Sequence, residues 1–336
     1  MCYIEQMNEA SSTTLSDPEA NVFSRRLTQR VPGFLVDRFF STLSVIGKRT
    51  PPAVKRLKAL EKTSDLSYGP NGKWNTLDIY KLPSEQKKRP VVLYVHGGAF
   101  RALSKDTHWL MAQRFAHRGF VVVNINYRLA PQHPYPAAME DTCLAWEWVI
   151  QHIESYGGDP DNILVAGESA GANLIMGLIV ACCYPRSETW AQRVYNIGQV
   201  PIAALPACGV YQVSNPERFL SSGFSSRLVY ANASDMADCY LPTETLRKNP
   251  ELADPVCIIE QQEPHRQLPT AFLPVGTWDP LMSDNRRLSN ALRARGVSVV
   301  EREYERGVHA FHALIFLPLA QVCWREMLHF AHRVST

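Results

Sequence analysis

The run Ile163-Leu-Val-Ala-Gly-Glu-Ser-Ala-Gly171 closes an apolar, strand-like stretch with the pattern G-x-S-x-G around Ser169, and an apolar, helix-like stretch follows at once. A serine on a sharp strand-to-helix turn has its hydroxyl exposed above a sheet edge, the position of a nucleophile in acyl transfer. Gly167 and Gly171 suit such a turn, because side chains there would meet the flanking strand and helix. A five-residue pattern of this kind also fits an ordinary Gly-rich loop, so its meaning rests on its surroundings.

Upstream, the strand-like run Val91-Val-Leu-Tyr-Val95 opens into His96-Gly97-Gly98-Ala99-Phe100. Acyl transfer builds negative charge on a carbonyl oxygen, and fixed backbone N–H groups in a water-poor site stabilise it. Glycines let the main chain approach closely. The N–H groups of Gly97 and Gly98, with that of Ala170 behind the serine, are therefore assigned to an oxyanion hole. The plainer reading of His96-Gly-Gly is a turn that ends a strand.

A serine hydroxyl is a poor nucleophile at neutral pH and needs a histidine base, which in turn needs a carboxylate to hold its tautomer. If the chain order is serine, acid, histidine, both lie downstream. The strand-like segment from Thr270 ends at Thr277-Trp278-Asp279-Pro280, and the next, Val297 to Tyr304, leads into Glu305-Arg-Gly-Val-His309. Asp279 and His309 thus follow two strand candidates, where an open α/β sheet gathers its site. Their rivals are Asp284, which reads as the cap of the next helix, and His312, which reads as opening the terminal helix.

Together these segments resemble the hormone-sensitive-lipase-like branch of the α/β-hydrolases, a group of carboxylesterases. The resemblance covers roughly residues 66–330 and extends to Asn126-Tyr-Arg-Leu-Ala-Pro-Gln-His-Pro-Tyr-Pro136 and Gly157-Gly-Asp-Pro-Asp161. It implies an α/β-hydrolase fold: a mostly parallel, eight-stranded sheet with helices on both faces and a helical cap. The catalytic roles it implies fall on Ser169, Asp279 and His309, with Gly97, Gly98 and Ala170 as oxyanion donors. Glu168, Ala172, Ser283 and Ala310 depart from the usual residues of the branch, and none of them removes a catalytic group. Glu168 reads as a local hydrogen-bonding residue rather than a second base.

The chain itself alternates as such a fold requires. Strand candidates at 91–96, 121–127, 163–168, 200–206, 270–277 and 297–304 are separated by helix-length segments near 106–118, 137–155, 169–183 and 284–295. Alternation of this kind implies a mostly parallel sheet covered on both faces. The stretch Leu66 to Tyr80, with its Asn-Gly turn, reads as an opening antiparallel hairpin. The expected organisation is residues 1–60 as N-terminal cap helices behind a disordered start, 61–210 and 261–336 as the two parts of the core, and 211–260 as a cap insertion.

Composition bounds the partners. The 336 residues carry 35 basic and 32 acidic side chains, a net charge of +3, with no basic run long enough for a nucleic-acid surface. The first ten residues lack the basic start and apolar core of a signal peptide, and the apolar stretch Ala172–Cys183 is too short to span a bilayer. The cysteines at 2, 143, 182, 183, 208, 239, 257 and 323 show neither C-x-x-C pairs nor metal-like histidine spacing. They read as mostly buried free thiols in a reducing cytoplasm. No cofactor and no metal is signalled, stable membrane insertion is not expected, and a homodimer is compatible with the chain.

The expected function is hydrolysis of a small-molecule ester through an acyl-enzyme on Ser169, with short- to medium-chain or aryl esters as substrates. Aromatic residues of the expected cap, such as Phe34, Phe39, Phe40, Phe219, Phe224 and Tyr230, could line an acyl pocket or simply form cap core. The same triad would serve an amidase, a deacetylase or a metabolite-tailoring acyl hydrolase or acyltransferase. A non-catalytic ligand receptor on this scaffold is disfavoured by the presence of His309 with Ser169 and Asp279.

Overall fold

The computed structural model describes Thr42 and residues 48–83, 88–220 and 224–336. The expected cap aromatics Phe34, Phe39 and Phe40 lie outside the described residues.

Among the described residues, eight strands form one sheet: β1 (Glu61–Ser67), β2 (Thr76–Lys81), β3 (Arg89–Val95), β4 (Val121–Ile125), β5 (Gly158–Glu168), β6 (Ala203–Ala207), β7 (Thr270–Gly276) and β8 (Val299–Tyr304). Their order across the sheet is β1-β2-β4-β3-β5-β6-β7-β8. β1 and β2 are the antiparallel hairpin read from the sequence, β2 pairs antiparallel with β4, and all later pairings are parallel.

The central strands are apolar at successive positions because the sheet is buried on both faces. Val91, Leu93 and Val95 of β3, with Val121, Val123, Ile163 and Val165, join one apolar layer. Val92 and Tyr94, with Val122, Leu164 and Ala166, join the other. Successive side chains on a strand point to opposite faces, so this split follows from the two-residue period alone.

Helices Ala137–His152, Ala170–Cys183, Thr189–Ile197 and Met282–Ala294 cover the first face. Helices Trp109–Ala116 and Pro318–Ser335 cover the second. Ala170–Cys183 is buried at every residue, which is why its sequence is apolar all round rather than striped.

Segment 211–260 does not alternate. It holds the short turn Pro216–Phe219 and helices Phe224–Tyr240, Glu244–Lys248 and Pro255–Gln261. Cys143, Cys182, Cys183, Cys208, Cys239 and Cys323 are free and buried, and Cys257 is free and half-buried. Among the described residues, no helix is long and apolar enough to cross a membrane.

Candidate active site

β5 stops at Glu168 and the next helix starts at Ala170, so Ser169 is the single residue of the turn. Its backbone is held at φ 54° and ψ −116°, a conformation a side-chain-bearing residue adopts only when its surroundings enforce it. The enforcement is visible. The Ser169 N–H donates to the carbonyl of Ala207 at 2.9 Å, and the Ser169 carbonyl accepts the N–H of Asn173 at 3.2 Å. A Cβ on Gly171 would lie 2.1 Å from the Val95 carbonyl oxygen, and one on Gly167 would lie 2.7 Å from the same atom. Both glycines are required by backbone that cannot move aside.

Asp279 follows β7 and His309 follows β8. The two loops are drawn together by main-chain bonds: the Trp278 N–H donates to Gly307 at 2.9 Å, and the Thr277 N–H donates to Tyr304 at 2.9 Å. Gly276 and Gly307 allow this approach, since a Cβ on Gly276 would fall 2.0 Å from the Gly307 carbonyl oxygen. His309 Nδ1 then lies 3.0 and 3.1 Å from the two carboxylate oxygens of Asp279, and His309 Nε2 lies 3.1 Å from Ser169 Oγ. A carboxylate on Nδ1 fixes the proton there and leaves Nε2 as the acceptor for the serine proton. Asp279 is buried and also accepts the Leu281 N–H at 2.8 Å, so the acid itself cannot swing.

The two rivals go elsewhere. Asp284 is not a helix cap: helix Met282–Ala294 is capped by Leu281, and the Asp284 carboxylate is buried against Arg218 at 2.6 and 2.9 Å while accepting the Tyr211 N–H. His312 does not open the terminal helix, which starts at Pro318. It sits in the single turn Phe311–Ala313, where burial pushes its pKa down to about 4.

The turn after β3 corrects one oxyanion assignment. The Gly97 N–H donates to Glu168 Oε1 at 2.6 Å, so it is committed to the protein and is not presented to a substrate. Beyond it, Gly98, Ala99 and Phe100 all have positive φ, at 113°, 52° and 61°, and the Gly98 carbonyl accepts the N–H groups of Arg101 and Ala102, both at 3.0 Å. Successive backbone N–H groups in a turn make a concavity that binds anions. Among the described residues, the N–H groups of Gly98, Ala99 and Ala170 donate to no protein acceptor. Ala99 therefore replaces Gly97 in the candidate donor set. A glycine-based search misses Ala99, because the signal is its strained backbone and not its residue type.

Glu168 ties this turn to the elbow. Its buried carboxylate accepts from Tyr94 Oη, from the Gly97 N–H and from His108 Nε2, the last at 2.7 Å. Burial alone would raise its pKa, but the charge and hydrogen bond of His108, with that of Tyr94, hold it down at about 2. Burial opposes charge on His108 as well, and Glu168 beside it outweighs that and raises it. His96, stacked between Tyr127 at 4.2 Å and His108 at 5.4 Å, is pushed down to about 3 by burial and by His108, so it stays neutral. Glu168 is thus a hydrogen-bonding hub, as its position suggested. His108 carries no local motif and was invisible in the sequence.

Among the described residues, one group of metal-ligating types lies close together: Cys208, Asp279 and His309, with ligand atoms within 4.8 Å of one another. Asp279 and His309 spend those atoms on each other, and burial raises the Cys208 thiol well above its ordinary pKa.

Residues 92–313 match the α/β-hydrolase fold family. The chain is 32% identical over 275 residues to the esterase LipI of Mycobacterium tuberculosis, covering 77% of each protein. It is 31% identical over 256 residues to the esterase LipQ of the same organism, covering 74% of this chain and 57% of the length of LipQ. The crystal structure of an esterase from the bacterial hormone-sensitive lipase family superposes with a TM-score of 0.68 at 24% identity, over 89% of this chain and 91% of that one. A serine elbow at the end of β5, an acid and a histidine following the last two strands, and these matches agree: the chain belongs to the α/β-hydrolase family, among its carboxylesterases.

Proposed function

We propose that this carboxylesterase cleaves small esters through an acyl-enzyme on Ser169, with His309 as base and acid and Asp279 as its orienting carboxylate. The observation that carries the reading is the unbroken line from Ser169 Oγ through His309 to the buried Asp279, each step within 3.1 Å. His309 Nε2 takes the hydroxyl proton as Oγ attacks the ester carbonyl, and Asp279 stabilises the imidazolium that forms. The N–H groups of Gly98, Ala99 and Ala170 receive the oxyanion. His309 returns its proton to the departing alkoxide. Water, deprotonated by the same imidazole, then attacks the acyl carbonyl and frees the acid and Ser169.

Short- to medium-chain or aryl esters remain the proposed substrates. The test is turnover of p-nitrophenyl esters from acetate to palmitate by wild type and by Ser169→Ala, with a fluorophosphonate probe in parallel. Turnover that peaks at short chains and is lost, with labelling, in Ser169→Ala is the expected result. Activity near wild type in that variant would overturn the nucleophile.

A further inference from the structure

The turn that carries the candidate oxyanion donors is strained, and its restraint comes partly from a distant segment. Ala99 and Phe100 hold left-handed backbone without being glycine. Such a conformation persists where surrounding contacts over-determine it. Inside the sheet domain, the restraints include the Gly97 bond to Glu168, the Tyr127 hydroxyl donating to the His96 carbonyl at 2.8 Å, and the bond from the Ala130 N–H to the Phe100 carbonyl at 2.9 Å.

The side chains of Phe100 and Arg101 both end on helix Phe224–Tyr240. The Phe100 ring stacks on Tyr240 with centroids 3.9 Å apart and planes 5° from parallel, and both residues are fully buried. The Arg101 guanidinium forms an ion pair with Asp235, five residues before Tyr240 on the same helix, and lies 3.7 Å from Cys239 Sγ. Arg101 is mostly buried while the Asp235 side chain is 32% exposed, so solvent screens the pair in part.

We propose that Asp235 is a positioning residue for the oxyanion turn: through Arg101, beside the Phe100–Tyr240 stack, it makes the aim of the Gly98 and Ala99 N–H groups depend on the seating of helix Phe224–Tyr240. This rests on the reading of that turn as the oxyanion hole. Oxyanion donors act on charge that develops in the transition state, so their misplacement lowers kcat and leaves KM nearly unchanged.

The experiment compares wild type, Asp235→Asn, the charge-swapped Arg101→Asp/Asp235→Arg protein and Ser169→Ala. It reads kcat and KM on a short-chain p-nitrophenyl ester, the inhibition constant of a trifluoromethyl ketone that forms a charged tetrahedral adduct with the serine, and thermal midpoints. Asp235→Asn is expected to lower kcat about tenfold, less than the loss of a whole oxyanion donor, with KM within about twofold. Ketone affinity should fall by about the same factor as kcat/KM. The charge swap should recover a large part of both at an unchanged thermal midpoint.

Unchanged kcat and ketone affinity in Asp235→Asn would overturn the proposal, as would a loss confined to KM or no recovery on charge reversal. Turnover that survives Ser169→Ala would bring down the proposed mechanism and this inference with it. Serine-dependent turnover that is indifferent to Asp235 would bring down the inference alone.

Discussion

Glu168 accepts the N–H of Gly97 at 2.6 Å, so the residue immediately before the proposed nucleophile holds the base of the turn that carries the proposed oxyanion donors. Elbow and turn belong to strands β5 and β3, which are paired side by side. One buried carboxylate therefore sets the distance between the attacking oxygen and the groups that stabilise its product. Tyr94 and His108 complete its shell.

That carboxylate predicts a pH signature. Glu168, held down at about 2 from its ordinary 4.5, contributes stability that is complete above 4.5 and is lost as pH falls through about 2. His108, raised above its ordinary 6.5, contributes stability that is complete below 6.5 and is lost as pH rises through its raised value. Glu168→Gln removes the pair and leaves a buried imidazole without a counter-charge, a change that costs about 3–5 kcal/mol. Thermal midpoints of wild type and variant across pH should differ most near pH 5–6, a window of roughly that width set by the two ordinary values, and converge in acid and in alkali. A difference that does not move with pH would mean that neutral hydrogen bonds hold the turn.

The two aspartates should separate cleanly. Asp279→Asn leaves Nδ1 of His309 with the wrong partner and should lower kcat by about 10⁴-fold with little effect on folding. Asp284→Asn weakens the buried contact to Arg218 and should cost about 1–3 kcal/mol of stability while leaving kcat of the folded enzyme near wild type. Denaturant unfolding beside steady-state kinetics checks both, and the reverse pattern would place the catalytic acid at Asp284.

Gly171→Ala should be the most damaging single methyl in the elbow. The added Cβ would meet the Val95 carbonyl oxygen at 2.1 Å and the His96 carbonyl oxygen at 2.6 Å, both main-chain atoms of the strand and turn beneath it. Relief requires moving β3 away from the helix, at a cost of about 3 kcal/mol or more. A soluble variant with wild-type unfolding midpoint and wild-type kcat would show that the elbow tolerates an opening the backbone contacts forbid.

The parts of this protein that the sequence determined by itself are those set by short-range rules. G-x-S-x-G at the junction of an apolar run and an apolar helix marks the elbow, because the steric demand of the turn falls on residues two positions away on either side. The alternation of strands and helices is legible because each element must bury its own face, and burial leaves its period in the chain. Asp279 and His309 could be named because each follows a strand whose end is fixed by the sheet.

What the tertiary structure decided concerns groups whose partners are distant in sequence. Gly97 reads as one of three oxyanion donors until Glu168, arriving on the neighbouring strand, takes its N–H; Ala99 enters the proposed donor set through a backbone angle that residue type does not encode. Asp284 has the look of a cap and becomes the buried partner of Arg218. His108, with no motif around it, becomes the counter-charge of Glu168. A hydrogen bond or ion pair across a fold depends on where two elements meet, and composition and spacing within either element carry no record of that meeting.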